Sequence, residues 1–178
     1  MSKLTRRRVL KVIHWSMLPL LIWFMLVGPS EALAMGSWGF MLHSNLALVF
    51  VIGCLVWTGD FLKNGLVTTR TPKLSASAQR LHWWIHRLII WSLFVVALTG
   101  FLLGLTSKSL LKAGGFLPIA PPLGLPELNK WIGTFHTIEF YGLAGLVALH
   151  AIFHIWRHVW LKDNALRIMA PKWLHRFL

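Results

Sequence analysis

Acid is scarce in this chain. Five Asp and Glu stand against 18 Lys and Arg in 178 residues, a formal net charge of +13. Cysteine is scarcer still: Cys54 is alone, inside an apolar run, so no disulfide framework can form. There is no CxxCH either, which excludes covalent attachment of a c-type haem. Internal repeats and low-complexity tracts are also missing. Long polar stretches are few, and 56% of the residues are hydrophobic, a membrane composition rather than a soluble one. So basic a protein invites a nucleic-acid reading, but the placement of the charge argues against it. Fifteen of the 18 Lys and Arg fall in the N-terminal lead, the middle loop and the C-terminal tail, with their flanking turns. Only Lys108, Lys112 and Lys130 lie elsewhere, and the link between the first two apolar runs has none. Such alternation is the positive-inside pattern of a membrane protein.

Four apolar runs are present, each long enough to cross a bilayer. They predict an all-α, integral membrane four-helix bundle, one domain over residues 1–178, with both termini cytoplasmic. The expected spans are about 9–27, 38–62, 81–105 and 131–160. Residues 1–11 form a basic lead, 28–37 a short outer loop and 63–80 a polar inner loop containing Pro72. Residues 106–130, rich in Pro and Gly, form a long outer loop suited to lie across the outer face as a lid. Residues 161–178 are a basic cytoplasmic tail. The first run also has the layout of a signal peptide: Arg6-Arg7-Arg8, an apolar core, then Ala32-Leu33-Ala34. His14 and Trp15 at the head of that core favour a retained helix. Trp15, Trp83, Trp84, Trp156 and Trp160 at the inner interface and Trp38 and Trp131 at the outer read as an aromatic belt.

Ionisable side chains inside these runs are costly and call for partners. The fourth run carries His136, His150, His154, His158 and Glu139. The 14 steps from His136 to His150, at about 100° per residue, leave the rings roughly 40° apart on one face and about 21 Å apart in depth. Two histidines at opposite depths of one face suit two stacked cofactors, and haem, whose iron takes axial histidine, fits that demand. Alternating topology pairs the depths: His14 with His150 near the inner surface, and His43 with His136 near the outer. Each pair predicts one bis-histidine haem b, closed to oxygen and suited to electron transfer. By angle alone His154 competes with His150, but its depth, about 27 Å from His136, places it at the inner headgroups. His82 and His86, one turn apart on the third span, are open to three readings: a quinone contact, a bond to a haem propionate, or an interfacial seat. Such a pair also suits zinc, yet no third ligand is evident in the sequence. Glu139, a turn from His136, either orients that imidazole, carries a proton for quinone chemistry, or bonds Asn45 or Ser44. Asp60, at the inner end of the second span, reads as interfacial.

These residues resemble the bacterial cytochrome b561 family of four-helix, dihaem membrane cytochromes, and the likeness covers nearly the whole chain. It is carried by Ile13-His14-Trp15, Met41-Leu42-His43, the run His86 to Gly100, His136 and Leu149-His150. The most specific part is the tail from His158 to Pro171, with Lys162-Asp163-Asn164, Leu166, Arg167, Met169 and Pro171. The resemblance implies haem ligation by the same four residues, His14, His43, His136 and His150. It also implies residence in the bacterial inner membrane and electron exchange with the quinone pool. Some members are similar to superoxide oxidases, which take an electron from superoxide and reduce ubiquinone; the alternative for this chain is a relay subunit wiring a periplasmic dehydrogenase or hydrogenase to quinone. Lys108, Lys112 and Lys130 would then steer an anion to the outer haem. Two departures stand out. Trp57-Thr58-Gly59-Asp60 occupies a place where the family has basic residues, and the proline expected before Thr99-Gly100 is missing.

Overall fold

The computed structural model describes residues 5–66, 72–113 and 117–177. Residues 1–4 of the basic lead, with Lys3, lie outside them, as do residues 67–71 of the middle loop, with Arg70. Residues 114–116 and Leu178 are outside as well. Four long helices dominate: α1 (Arg6–Leu26), α3 (Ser37–Asn64), α4 (Ala76–Thr106) and α5 (Pro126–Val159). A short α2 (Pro29–Ala34) lies between the first two, and α6 (Ala165–Met169) and a 3-10 turn (Lys172–Arg176) follow α5. All four long helices are apolar and long enough to cross a membrane, so the chain is an all-α, multi-pass membrane bundle. The last three, at 28, 31 and 34 residues, run well beyond the roughly 20 that a span requires. Their turns at the basic end carry Asp60, Lys63, Arg80 and Arg157 among other ionisable groups.

Local sequence sets the ends. Ser75 caps α4 by accepting from the Ala78 amide. Pro126 opens α5 at a position where its missing N–H costs nothing, with Glu127 in the first turn. Pro29 does the same for α2, so part of the expected outer loop 28–37 is helical. Gly39 lets α2 fold back on α3, since a Cβ there would stand 2.5 Å from the Ala32 carbonyl oxygen. The long outer loop is also more ordered than its composition suggests. Strands β1 (Leu111–Ala113) and β2 (Leu117–Ala120) pair antiparallel. Asn129 then ties α5 back by donating to the Leu103 carbonyl and to Thr106 Oγ1, both at 2.8 Å.

The core runs along the bundle axis through Met17, Leu21, Phe50, Cys54, Leu93, Val96, Ala97, Phe140 and Leu143. It is thin. Only 17–28% of the most apolar stretch of each helix is buried within the bundle, so the remaining apolar surface is left for lipid. Helices α4 and α5 pack most closely, whereas α1 leans chiefly on α3 and leaves space on its other side.

The N-terminal lead and the C-terminal tail share one end of the bundle, the basic end. Arg6 grips Asp60 with Nε at 2.9 Å and a second nitrogen at 2.7 Å, and also donates to the Gly65 carbonyl at 2.7 Å. The interfacial Asp60 is thus held by the lead. The tail is stitched on by three side-chain donors. Lys11 reaches the Ala170 carbonyl, Trp15 Nε1 the Met169 carbonyl and Lys73 the Lys162 carbonyl, each at 2.8 Å. Its pivot is Arg157, 2% exposed, whose guanidinium meets Asp163 Oδ2 at 2.8 and 2.7 Å. Asp163 Oδ1 accepts the Ala165 amide and starts α6, while Lys162 and Asn164 take left-handed backbone angles that turn the chain.

Asp163→Asn would leave the buried Arg157 charge without its counter-ion. The expected loss is about 3 kcal/mol, a fall of roughly 6–12 °C in the melting midpoint in detergent. Arg157→Met in the same chain is expected to restore most of it.

Candidate functional site

At the basic end α1 and α5 bring the rings of His14 and His150 together, edge toward face. Their ring centres are 6.4 Å apart, with the planes inclined at 60°. An ion held by two imidazole nitrogens at about 2.0–2.1 Å each needs ring centres about 6–6.5 Å apart. The separation of the two rings matches that of imidazoles set trans across one ion. Beside them the space left by α1 opens into a cavity of about 360 Å³, within the roughly 300–1,000 Å³ of small-molecule and cofactor sites. Met17, Leu21, Phe50, Leu93, Leu143 and Val147 supply apolar walls, and α6 contributes to the basic end. His150 Nδ1 is buried without a hydrogen-bond partner. Paired imidazoles beside an apolar slot suit a haem.

The opposite end is built differently. His43, on α3, packs edge-on against Phe24 at 5.0 Å, and Phe24 meets Phe140 at 6.4 Å. Its Nδ1 is likewise buried without a partner. Among the described residues His43 and His136 are not in ring contact, although they are near enough to interact through space.

His136 is held firmly. Its Nδ1 lies 2.7 Å from Thr99 Oγ1 on α4 and 3.5 Å from Glu139 Oε1, and Thr99 in turn donates to Glu139 Oε1. A hydroxyl has one proton to give, and a carboxylate is its strongest available acceptor. With that proton turned to Glu139, the Thr99 oxygen accepts from His136 Nδ1–H. Nε2 is then the nitrogen with the free lone pair, the form a metal ligand needs. Gly100 makes the approach possible: a Cβ there would stand 3.3 Å from His136 Cε1. Glu139 thus takes the orienting place among its expected roles. The alternative bond to Ser44 does not form, since that hydroxyl donates to the Phe40 carbonyl of its own helix at 3.0 Å.

His82 and His86 do not sit idle at the surface. They face the cavity and α5, with ring centres 4.2 Å apart, and His86 lies 4.7 Å from His150. His154, expected at the headgroups, joins the same cluster. Its ring is 4.5 Å from His150, 5.2 Å from His82 and 5.7 Å from His86. The third nitrogen of Arg157 reaches His82 Nε2 at 3.3 Å. His175 belongs to the tail, 3.1 Å from the Ala170 carbonyl. Thr99 and the pivot Arg157 escaped the sequence reading. Arg157 had a signal, being a charge in an apolar run with an acid six residues on; Thr99 had none.

A family model described as prokaryotic cytochrome b561 matches residues 6–172, most of the chain. No curated protein matches it.

Thr99→Val would remove the hydroxyl that joins His136 to Glu139. If His136 is a haem ligand, the change is expected to weaken haem retention about 10–100-fold, measured by titrating haem into depleted protein. Unchanged affinity would show that the network does not act on the ligand.

Proposed function

Because the chain belongs to the prokaryotic cytochrome b561 family, whose members are membrane b-type cytochromes of electron transfer, we propose that it holds two haem b groups and exchanges electrons with the quinone pool. His14 and His150 would bind one at the basic end, and His43 and His136 the other at the opposite end. The observation that carries this reading is the 6.4 Å between the His14 and His150 rings, beside an apolar cavity. When bound, haem supplies one-electron redox chemistry, and two histidine ligands leave its iron no open position. The chain's residues do the rest. Thr99 and Glu139 fix the proton of His136 on Nδ1. The positive-inside rule supports a cytoplasmic basic end with both termini there, and we assign the bundle to the bacterial inner membrane.

The activity we favour is superoxide:ubiquinone oxidoreduction. Each superoxide gives up one electron and leaves as dioxygen; two such electrons and two protons convert ubiquinone to ubiquinol. Lys108, Lys112 and Lys130 lie at the end away from the basic one, all exposed, where they would draw the anion in. A second reading is a relay subunit of a periplasmic dehydrogenase or hydrogenase complex. It draws on the exposed Leu117 and Ile119 of the hairpin and on Leu123, which would dock a redox partner.

The reduced-minus-oxidised spectrum of purified protein, with its haem-to-protein ratio, tests the ligand pairs. Two haems are expected in the wild type and about one in His43→Ala. A variant that keeps both would remove His43 from the ligand set. Superoxide-driven quinone reduction by the isolated chain then separates the oxidase from the relay, which would be silent without its partner.

A further inference from the structure

We propose that His82, His86 and His154 form a binding site for a divalent transition-metal ion of zinc's kind, separate from the haem ligands. Read from sequence, the i, i+4 pair on α4 lacked a third ligand. The packing of α4 on α5 supplies it: one ligand nitrogen from each of the three residues lies within 4.8 Å of the others. Nitrogens around one zinc at about 2.0–2.1 Å stand about 3.3 Å apart, so the rings need to close by about 1.5 Å. Side-chain rotation covers that distance.

The protonation pattern favours metal. His86 Nδ1 lies 2.7 Å from the His82 carbonyl oxygen. A carbonyl only accepts, so Nδ1 carries the proton and Nε2 presents a bare lone pair. A ring nitrogen tied to a backbone carbonyl, with the other left for the ion, is the usual arrangement of a metal-binding histidine. His154 Nε2 is buried and has no hydrogen-bond partner, an unmet demand that coordination would satisfy. His82 Nε2 accepts only the 3.3 Å contact from Arg157, the longest that guanidinium makes to a side chain. Arg157 keeps its charge neutralised by Asp163 when that contact is released, so an incoming cation meets an ion pair rather than a lone positive charge. Three protein ligands leave the fourth coordination position of a zinc-like ion open.

The test uses haem-loaded protein with any affinity tag removed, dialysed against Zn²⁺ and analysed for zinc and haem together. One zinc per chain is expected, with the haem content unchanged. His82→Ala, His86→Gln and His154→Ala should each weaken zinc binding at least tenfold while keeping haem, and His175→Ala should leave it unaltered. Zinc-edge X-ray absorption should report imidazole nitrogens around the ion. Absence of binding, binding indifferent to the three variants, or zinc taken up only as haem is lost would each overturn the proposal. Haem lost in the variants themselves would place these residues in the haem site instead, and overturn it too.

Discussion

A charge or polar group buried in a bundle surrounded by hydrocarbon must find its partner inside the protein. The architecture of this chain follows from that demand. Arg157 would be untenable without Asp163, and the pair they form fixes where α5 stops and where α6 begins. Glu139 would be equally isolated without Thr99 on the neighbouring helix. Each pairing consumes a side chain that sequence position alone would count as spare, and each joins two elements that thin apolar packing would hold loosely. Packing among helices in lipid gains little from hydrophobicity, so such polar ties decide register.

Because the ties differ, the two ends of the bundle differ in character. His136 is oriented by a hydroxyl and a carboxylate, which enrich the electron density of its ring. His150 has other imidazoles for neighbours and no carboxylate in contact among the described residues. A metal held by the first would sit in a more electron-donating setting than one held by the second.

Much of this was legible in the sequence. Apolar runs longer than a bilayer requires announced the helices, and the alternation of basic loops announced their order. His14 and His150 could be matched because depth along a helix is simple arithmetic, and they do lie ring to ring. What stayed hidden depends on rotation between helices rather than position along them. His154 joins His82 and His86 only because α5 turns that face toward α4, and Thr99 meets His136 only because Gly100 lets the helices close. The helix at 29–34 and the paired strands at 111–113 and 117–120 were obscured for another reason: proline, read as a loop signal, here starts a helix at Pro29 and sits within a strand at Pro118.

The tail also carries a consequence for how the chamber is closed. Ala165, Leu166, Ile168, Met169 and Ala170 line the cavity at its basic end, yet all of them follow the four spans in the chain. The spans supply the walls of this chamber and the tail its floor. Lys11, Trp15 and Lys73 fasten that floor through its backbone carbonyls. The basic end is thus shut by a separate short segment, held on by side chains of the lead and the middle loop, rather than by a further span.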